Sequence, residues 1–458
     1  MIRIKSRNTL TRLIALVALV LAIGLVAIQP ARMQDGSDAQ SRITYLVEEA
    51  YVPNQVIVAL MPNFDIATVA AMYGLNPVPI SQTGAVPPSY LMQIADGSTV
   101  EQKVAQLSAD TLRIDFAEPN FRLSAPEAAR PTWSVGDSYS PVAAGRKASN
   151  GQWARGVIRL DEAHQVTRGT AMVNGQPTPV VVAVLDTGID FNHPAFAGRL
   201  VPGYDFIGQD NDPSEEGNPQ IGPFGHGTHV AGIIAMVAPE AKIMPLRVLN
   251  VQGRTDAFIV ARAVEYAVAH GAHVINLSLS TSNETGVIHD AFYDFLEGQE
   301  ELDGGNLPLN GAVAVVAAGN TGTTAYQYPA AIAFLEPNRI GREVIPVAAS
   351  NSSDVLSIFS SRGPWVFVMA PGERIISPAP YNRYANWSGT SMAAPIVAGE
   401  AALVRAVNPL AEAKDIQDHI FARTVNIPGQ IRRVDVMLAV SNPIPLDTDR
   451  ALPVKSRR

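Results

Sequence analysis

Short apolar runs alternate with amphipathic stretches along residues 151–445. Apolar runs occur at 180–185 (VVVAVL), 312–318 (AVAVVAA) and 344–350 (VIPVAAS), and helical patterns such as 257–270 (AFIVARAVEYAVAH) lie between such runs. Strands that are apolar on both faces and are separated by amphipathic helices are typical of a parallel sheet covered on both sides. The pattern predicts a three-layer α/β domain with a mainly parallel sheet.

A smaller alternation fills residues 52–125. Apolar positions at 53–61 (PNQVIVALM), 89–94 (SYLMQI) and 111–125 (TLRIDFAEPNFRLSA) predict three strands. Two helical patterns lie between them, the first closed by Gly74 and the second preceded by Thr99 in the N-cap position. We therefore expect a small α+β domain of ferredoxin-like type in front of the larger one.

Polar or biased segments flank and separate the two domains. Residues 1–30 place four basic residues before an apolar run at 13–28, which predicts a signal peptide or a retained membrane anchor. Either puts the bulk of the chain outside the cytoplasm. The polar segments 31–51 and 446–458 predict a linker and a disordered tail, and the Pro-, Ala-, Gly- and Ser-rich segment 126–150 predicts an exposed linker and processing zone.

Charge and composition exclude several classes of function. The formal net charge is -8 and the chain has no cysteine. An acidic chain lacks the basic face that nucleic acid requires, so we expect no nucleic-acid partner. Without cysteine the chain has no disulfide, no thiol nucleophile and no Cys-ligated metal site.

Three glycine-containing segments carry the candidate chemistry. Asp186 stands in DTGID directly after a predicted strand, His226 stands in GHGTHVAG, and Ser391 stands in GTSMAAP before a predicted helix. Taken alone, the aspartate reads as a turn residue and the serine as a helix cap. A carboxylate, an imidazole and a hydroxyl in such turns together indicate nucleophilic catalysis.

A second histidine, His229, offers a metal site as an alternative. Zinc-binding protease helices need two histidines four residues apart with a glutamate between them. The spacing of three residues from His226 and the lack of that glutamate disfavour zinc. We interpret His229 as a hydrogen-bonded structural histidine.

The three segments resemble the motifs of the subtilisin family of serine proteases (peptidase S8), and the likeness extends over residues 151–440. The resemblance implies a serine endopeptidase in which Ser391 attacks the peptide carbonyl, His226 transfers the proton and Asp186 orients the imidazole. It also implies that Asn320, in VVAAGN, donates to the oxyanion together with the backbone N–H of Ser391. That chemistry requires no cofactor.

The resemblance extends to the substrate cleft. The family pairs the substrate, as an extra strand, with the segment that corresponds to Ser278, Leu279 and Ser280. The usual third residue is glycine, so Ser280 should narrow one edge of the pocket for the residue before the cut. Ala318 and Gly319 would form the opposite wall. Since these segments contain no acidic residue, we expect an apolar or broad preference.

Two further likenesses concern regulation and metal binding. Residues 52–125 resemble the family's inhibitory propeptide of the inhibitor I9 type, and a permanently retained accessory domain is the alternative. Residues 204–212 (YDFIGQDND) resemble a calcium loop of some members, and a charged solvent loop is the alternative. The metal ligands, if any, are unknown from sequence.

The four catalytic candidates favour an enzyme over a catalytically idle surface-binding module with the same fold. We expect an exported, self-processing zymogen that acts on polypeptides. Its own propeptide would be its partner, and residues 13–28 would tether it to a membrane if they are retained.

Overall fold

The computed structural model describes residues 50–127, 147, 149–218, 223–297, 311–337 and 340–445. The predicted signal peptide or anchor at 1–30 and the predicted tail at 446–458 lie outside the described residues. The same holds for almost all of the 31–51 linker and for most of 126–150.

The small domain has the strand and helix order that the sequence predicts, with one short strand added. Its elements are β1 (Tyr51–Leu60), α1 (Ile66–Tyr73), β2 (Ser81–Gln82), β3 (Ser89–Gln93), α2 (Val100–Ser108) and β4 (Ile114–Ser124). The sheet is antiparallel with the order β4-β1-β3-β2. Gly74 ends α1 in a left-handed conformation, and the Thr99 side chain accepts a hydrogen bond from the backbone of Gln102 at the start of α2.

The large domain contains the predicted apolar strands in a parallel sheet. Its strands are β5 (Thr170–Val173), β6 (Gln176–Pro179), β7 (Val181–Asp186), β8 (Tyr204–Asp205), β9 (Lys242–Arg247), β10 (Arg254–Asp256), β11 (Val274–Leu277), β12 (Val313–Ala317), β13 (Val344–Ser350), β14 (Val368–Pro371), β15 (Ile375–Ala379), β16 (Arg383–Trp387), β17 (Thr424–Val425) and β18 (Arg432–Val434). The main sheet has the order β17-β18-β14-β13-β12-β11-β7-β9-β8, and its pairs from β8 to β18 are parallel.

Helices cover both faces of this sheet. They are α3 (Trp153–Val157), α4 (Leu160–Ala163), α5 (His226–Val237), α6 (Ala257–Ala269), α7 (Gly286–Phe292), α8 (Ile332–Leu335), α9 (Thr390–Val407), α10 (Ala413–Ala422) and α11 (Val436–Ser441). Short turns of 3₁₀ helix (Pro194–Phe196 and Ile340–Glu343) and π helix (Tyr293–Glu297) complete the described elements.

The core is divided by the sheet because side chains alternate along each strand. Val182 and Val184 of β7 belong to the cluster that contains α5 and α9, whereas Ala183 and Leu185 belong to the cluster that contains α6 and α7. This division confirms the predicted three-layer α/β architecture.

One face of the small sheet is shared with the large domain. Ile57 and Phe116 belong to the same buried cluster as Val260 and Val264 of α6, and β4 continues the small sheet by pairing with β10. The two domains therefore bury apolar surface against each other, which is the main source of stability at such contacts.

One described helix, α9, is long and apolar enough to cross a membrane, but 94% of it is buried inside the protein. It is the central helix of the core. The predicted tether at 13–28 lies outside the residues that were searched.

Candidate active site

Asp186 ends β7, which lies between β11 and β9 in the main sheet, at the carboxyl end of the parallel strands, where side chains from different strands meet. The backbone N–H of Thr187 donates to Asp186 Oδ1 at 2.8 Å. Gly227 allows the next segment to come close, because a Cβ there would lie 2.2 Å from the carbonyl oxygen of Gly188. The glycine after the histidine is therefore a steric requirement of the site.

His226 is the first residue of α5 and is completely buried. Its Nδ1 atom lies 2.6 Å from Asp186 Oδ1, so the carboxylate fixes the ring orientation and the proton position on that nitrogen. The structure thus brings together the first two predicted residues.

Ser391 is buried in the first turn of α9, and Asn320 follows β12. Both the backbone N–H and the hydroxyl of Thr390 donate to Asn320 Oδ1, at 2.9 Å and 3.0 Å. These two bonds orient the amide, so that its Nδ2 atom is directed toward the centre of the site. Thr390 was not predicted, although it stands beside the serine in the motif.

The carboxylate of Glu127 fills that centre. Its Oε2 atom accepts a hydrogen bond from Ser391 Oγ at 2.6 Å and lies 3.3 Å from His226 Nε2. Its Oε1 atom accepts a hydrogen bond from Asn320 Nδ2 at 2.8 Å. All three groups converge on one carboxylate, and Asp186 stands behind the imidazole.

Glu127 corrects the prediction of an exposed linker from residue 126. It is 3% exposed, because polar groups of the site satisfy its carboxylate. Composition averages over a segment and cannot detect one anchored side chain. The available signal was a carboxylate two residues after the strand predicted to end at Ala125.

Burial lowers the pKa of His226, but the carboxylates of Asp186 and Glu127 outweigh burial and raise it to about 10. Burial raises the pKa of Glu127, but hydrogen bonds and charge from His226, with Ser391 and Asn320, hold it below its ordinary value. The closed site therefore contains an imidazolium between two carboxylates.

His229 lies away from this centre, as predicted. Its Nε2 atom bonds the carbonyl oxygens of Ile375 and Ala385, and its ring stacks on Trp387. Burial lowers its pKa to about 3, so it stays neutral. It joins α5 to the hairpin of β15 and β16.

The subtilase family model matches residues 178–435, a span that contains Asp186, His226, Asn320 and Ser391. The chain belongs to the subtilase family.

Individual subtilases show the extent of the likeness. The Thermophilic serine proteinase of Bacillus sp. (strain AK1) is 36% identical over 316 residues, which cover 67% of this chain and 66% of that protein. Thermitase of Thermoactinomyces vulgaris is 39% identical over 49% of this chain and 74% of its own length.

The crystal structure of fervidolysin from Fervidobacterium pennivorans, a keratinolytic enzyme related to subtilisin, matches with a TM-score of 0.67. At 24% identity, over 88% of this chain and 63% of that one, this likeness shows the fold. The chain spans less than two thirds of fervidolysin and of the first relative named above.

The predicted substrate-binding residues of this subtilase lie on two segments, 278–280 after β11 and 318–319 after β12. Ser280 exchanges both backbone hydrogen bonds with Ser124, and Ser278 Oγ donates to the carbonyl oxygen of Ser391 at 3.3 Å. Leu279 has its side chain in the core, so only its backbone is available to the cleft. Ala318 is completely buried, and the backbone N–H of Gly319 donates to Thr390 Oγ1 at 3.1 Å.

The proposed calcium loop uses its first carboxylate internally. Asp205 accepts hydrogen bonds from the backbone of Ile207 and Gly208, and Arg247 donates to it at 2.7 Å. These donors use three of the four lone-pair positions of the carboxylate, and the Arg247 charge beside it disfavours a cation there. The searched part of the chain contains no cluster of three His, Cys, Asp or Glu that would hold a metal ion. Calcium binding stays a prediction, to be tested by stability in a chelator.

Proposed function

We propose that this subtilase is an exported zymogen that hydrolyses polypeptides through Asp186, His226 and Ser391, with Asn320 as oxyanion donor. The observation that carries the proposal is the convergence of Ser391 Oγ, His226 Nε2 and Asn320 Nδ2 on one small volume at the end of the sheet. A peptide carbonyl in that volume would meet a nucleophile, a base and a hydrogen-bond donor together.

The acylation step follows from this geometry once the volume is vacated. Ser391 Oγ attacks the peptide carbonyl carbon while its proton passes to His226 Nε2. Asn320 Nδ2 and the backbone N–H of Ser391 donate to the oxygen that becomes negative. Collapse of the tetrahedral intermediate breaks the C–N bond, and His226 gives its proton to the leaving amine.

Deacylation repeats these roles with water as the nucleophile. Water adds to the ester carbonyl while His226 takes its proton, and the proton returns to Ser391 Oγ when the acid product leaves. Asp186 keeps the Nδ1 proton in place throughout, which leaves Nε2 free to exchange protons. No metal or cofactor takes part.

The substrate is expected to bind as an extra strand between two segments of the large domain. Residues 122–124 now occupy that place: they pair with 254–256, and Ser124 bridges Ser280. A polypeptide with the same direction would make the same backbone bonds, whatever its side chains. Ser278 and Ser280 on one side and Ala318 and Gly319 on the other would line the pocket and favour apolar or small side chains.

We further propose that residues 52–125 act as an inhibitory propeptide. Glu118 accepts hydrogen bonds from the backbone of Gly286 and Val287 at the start of α7, at 2.7 Å and 2.9 Å. Asn120 Oδ1 accepts one from Phe258 at the start of α6. These contacts and the strand in the cleft support inhibition in place. A retained accessory domain would leave the same domain attached to the active enzyme, which N-terminal sequencing of that enzyme decides.

Export completes the proposal. Residues 1–30 would direct the chain across a membrane, as a cleaved signal or as an anchor at 13–28, so that it acts outside the cytoplasm. The acidic net charge of the chain gives no support for nucleic-acid binding. The partners of the protein would be polypeptides and its own propeptide.

The decisive experiment compares Ser391→Ala with Ser388→Ala, a matched loss of hydroxyl three residues away. Ser388 Oγ accepts a hydrogen bond from the backbone of Arg374, outside the catalytic centre. Ser391→Ala should stay full-length and lose casein cleavage by several orders of magnitude, whereas Ser388→Ala should shorten itself and cleave casein like the wild type. Casein turnover by Ser391→Ala, or inhibition only by a zinc chelator, overturns the proposal.

A further inference from the structure

We infer that the Glu127 side chain is a built-in carboxylate inhibitor, which occupies the catalytic centre with a group that the enzyme cannot hydrolyse. This inference rests on the proposed function and concerns the regulation of the same site. It differs from inhibition by a strand alone, because a side chain and not a peptide bond faces Ser391.

The chain that leads to Glu127 follows the path of a bound peptide. Ser124 exchanges two backbone bonds with Ser280, at 3.1 Å and 2.9 Å, and the N–H of Ala125 donates to the carbonyl oxygen of Gly253 at 3.0 Å. Pro126 follows and has no N–H to extend this ladder. The backbone ladder ends there, and the Glu127 side chain makes the contacts with the catalytic groups.

Each oxygen of the Glu127 carboxylate accepts a hydrogen bond from a different catalytic group. Oε1 takes the Asn320 donor that would otherwise bind the oxyanion, and Oε2 takes the Ser391 hydroxyl. The Ser391 proton therefore points at a carboxylate, and the nucleophile is not being deprotonated. A carboxylate carbon is a poor electrophile, so this contact persists without reaction.

The charge of Glu127 also disables the base. Its Oε2 atom lies 3.3 Å from His226 Nε2, and it adds to Asp186 in keeping the imidazole protonated. An imidazolium cannot accept the Ser391 proton. One residue thus blocks the nucleophile, the base and the oxyanion donor at the same time.

The space for this carboxylate depends on Gly389. A Cβ at Gly389 would lie 1.8 Å from Glu127 Oε1 and 3.2 Å from Asn320 Nδ2. This glycine, two residues before Ser391, therefore leaves room for a ligand atom at the oxyanion donor. The inhibitor fills that room, and Glu127 as a residue is 3% exposed.

The test measures how fast a fluorophosphonate probe labels Ser391 in freshly purified, full-length chain, read at the full-length band. Charge-assisted hydrogen bonds of this kind suggest that Glu127→Ala labels about ten- to a hundredfold faster than wild type. Glu127→Gln should show a smaller gain, because its amide oxygen still accepts from Ser391. Glu101→Gln removes a carboxylate that bonds Tyr51 within the small domain and serves as the matched control.

A second measurement avoids any dependence on processing. In the Ser391→Ala background, nuclear magnetic resonance of labelled histidine should find His226 protonated to a pH near 10. Glu127→Gln should lower that pKa, because the amide that replaces the carboxylate beside Nε2 carries no charge. A variant that merely loosened folding would change many resonances and not this titration alone.

The outcomes separate the inference from the proposed function. If wild-type protein freed of residues 1–127 is labelled at Ser391 but Glu127→Ala full-length chain labels within twofold of wild type, the inference fails alone. If the freed protein is not labelled at Ser391 at all, the proposed function fails. An unchanged His226 titration in Glu127→Gln also overturns the inference.

Discussion

Asp186 and His226 face each other at the carboxyl end of the sheet, with Oδ1 of the carboxylate 2.6 Å from Nδ1 of the imidazole. The backbone N–H of Thr187 donates to the same oxygen. Asp186 Oδ1, which orients the His226 ring, is therefore itself fixed by a backbone hydrogen bond. Such a buried, doubly bonded acceptor fixes one tautomer of the histidine.

Asp186→Asn should nearly abolish activity while preserving the fold. An amide keeps the shape but can present its NH₂ group to the ring, which favours the tautomer with the proton on Nε2 and removes the base. We expect self-shortening of the full-length chain to slow on the order of 10⁴-fold. Asp190→Asn, whose carboxylate accepts from the backbone of Asn192 and Tyr381, is the control. Shortening of Asp186→Asn within tenfold of wild type would contradict this role.

Glu215 contacts the first turn of α5, the helix that begins with His226. Its Oε2 atom accepts from the hydroxyl and the backbone N–H of Thr228, at 2.9 Å and 3.3 Å, in the first turn of α5. Glu215→Ala would leave these donors without that acceptor, so the free energy of unfolding should fall by about 1–3 kcal/mol. Because the change moves His226 and not the cleft, kcat on a peptide substrate should fall more than KM rises.

The neighbouring Glu216→Ala is the matched control for Glu215. Glu216 pairs with Arg247 at 2.7 Å, but its side chain is 59% exposed. Arg247 is buried but keeps its bond to Asp205 when Glu216 is removed, so this variant should keep kcat and lose less stability than Glu215→Ala. Equal losses of kcat in the two variants would show that Glu215 does not position His226.

The sequence was sufficient for those strands of the main sheet that are continuous apolar runs, whereas β8, β14, β17 and β18 were not predicted. Strands β7, β12 and β13 lie where those runs were found. The hairpin of β15 and β16 was not predicted, since Pro378, Asn386 and the polar turn interrupt any clear periodicity. Its importance is visible only in three dimensions, where its backbone accepts the hydrogen bonds of His229.

The catalytic candidates could be predicted from sequence where their side chains lie in turns that contain glycine. Asp186, His226 and Ser391 each stand in such a turn, and the structure brings them together. Glu127 could not be predicted, because its burial depends on groups far away in sequence, up to 264 residues distant at Ser391. A local pattern carries no information on such a contact.

Glu118→Gln should weaken docking of the small domain. The carboxylate bridges two backbone N–H groups at the start of α7, where a negative charge is favourable. Loss of charge should cost about 1–2 kcal/mol of docking free energy. In the Ser391→Ala background, hydrogen exchange of β4 should then accelerate, while Glu101→Gln should leave it unchanged. Equal protection of β4 in Glu118→Gln and the parent would show that this contact does not stabilise the docked state.

Glu400 makes the stability of the protein dependent on pH. It lies in the middle of α9 with 0% exposure, and within the described residues neither carboxylate oxygen has a hydrogen-bond partner. Burial raises its pKa well above 4.5, an effect that Asp435 increases and Arg433 opposes. The folded state therefore holds this proton more tightly than the unfolded state. The stability that the proton contributes is complete below about pH 4.5 and is lost as the pH rises toward the folded pKa.

Glu400→Gln removes this titration and should stabilise the protein increasingly as the pH rises. Over the range between the two pKa values, the gain relative to the parent should grow by up to about 1.4 kcal/mol for each pH unit. Urea unfolding at pH 5, 7 and 9 in the Ser391→Ala background, which prevents self-digestion, measures the gain. Glu240→Gln alters an exposed carboxylate paired with Arg168 and should give the same small difference at every pH. A buried carboxyl without partners can ionise only at the expense of the free energy of unfolding, so titration of Glu400 must separate the two curves. If Glu400→Gln and its parent lose stability in parallel from pH 5 to 9, Glu400 is not the group that titrates.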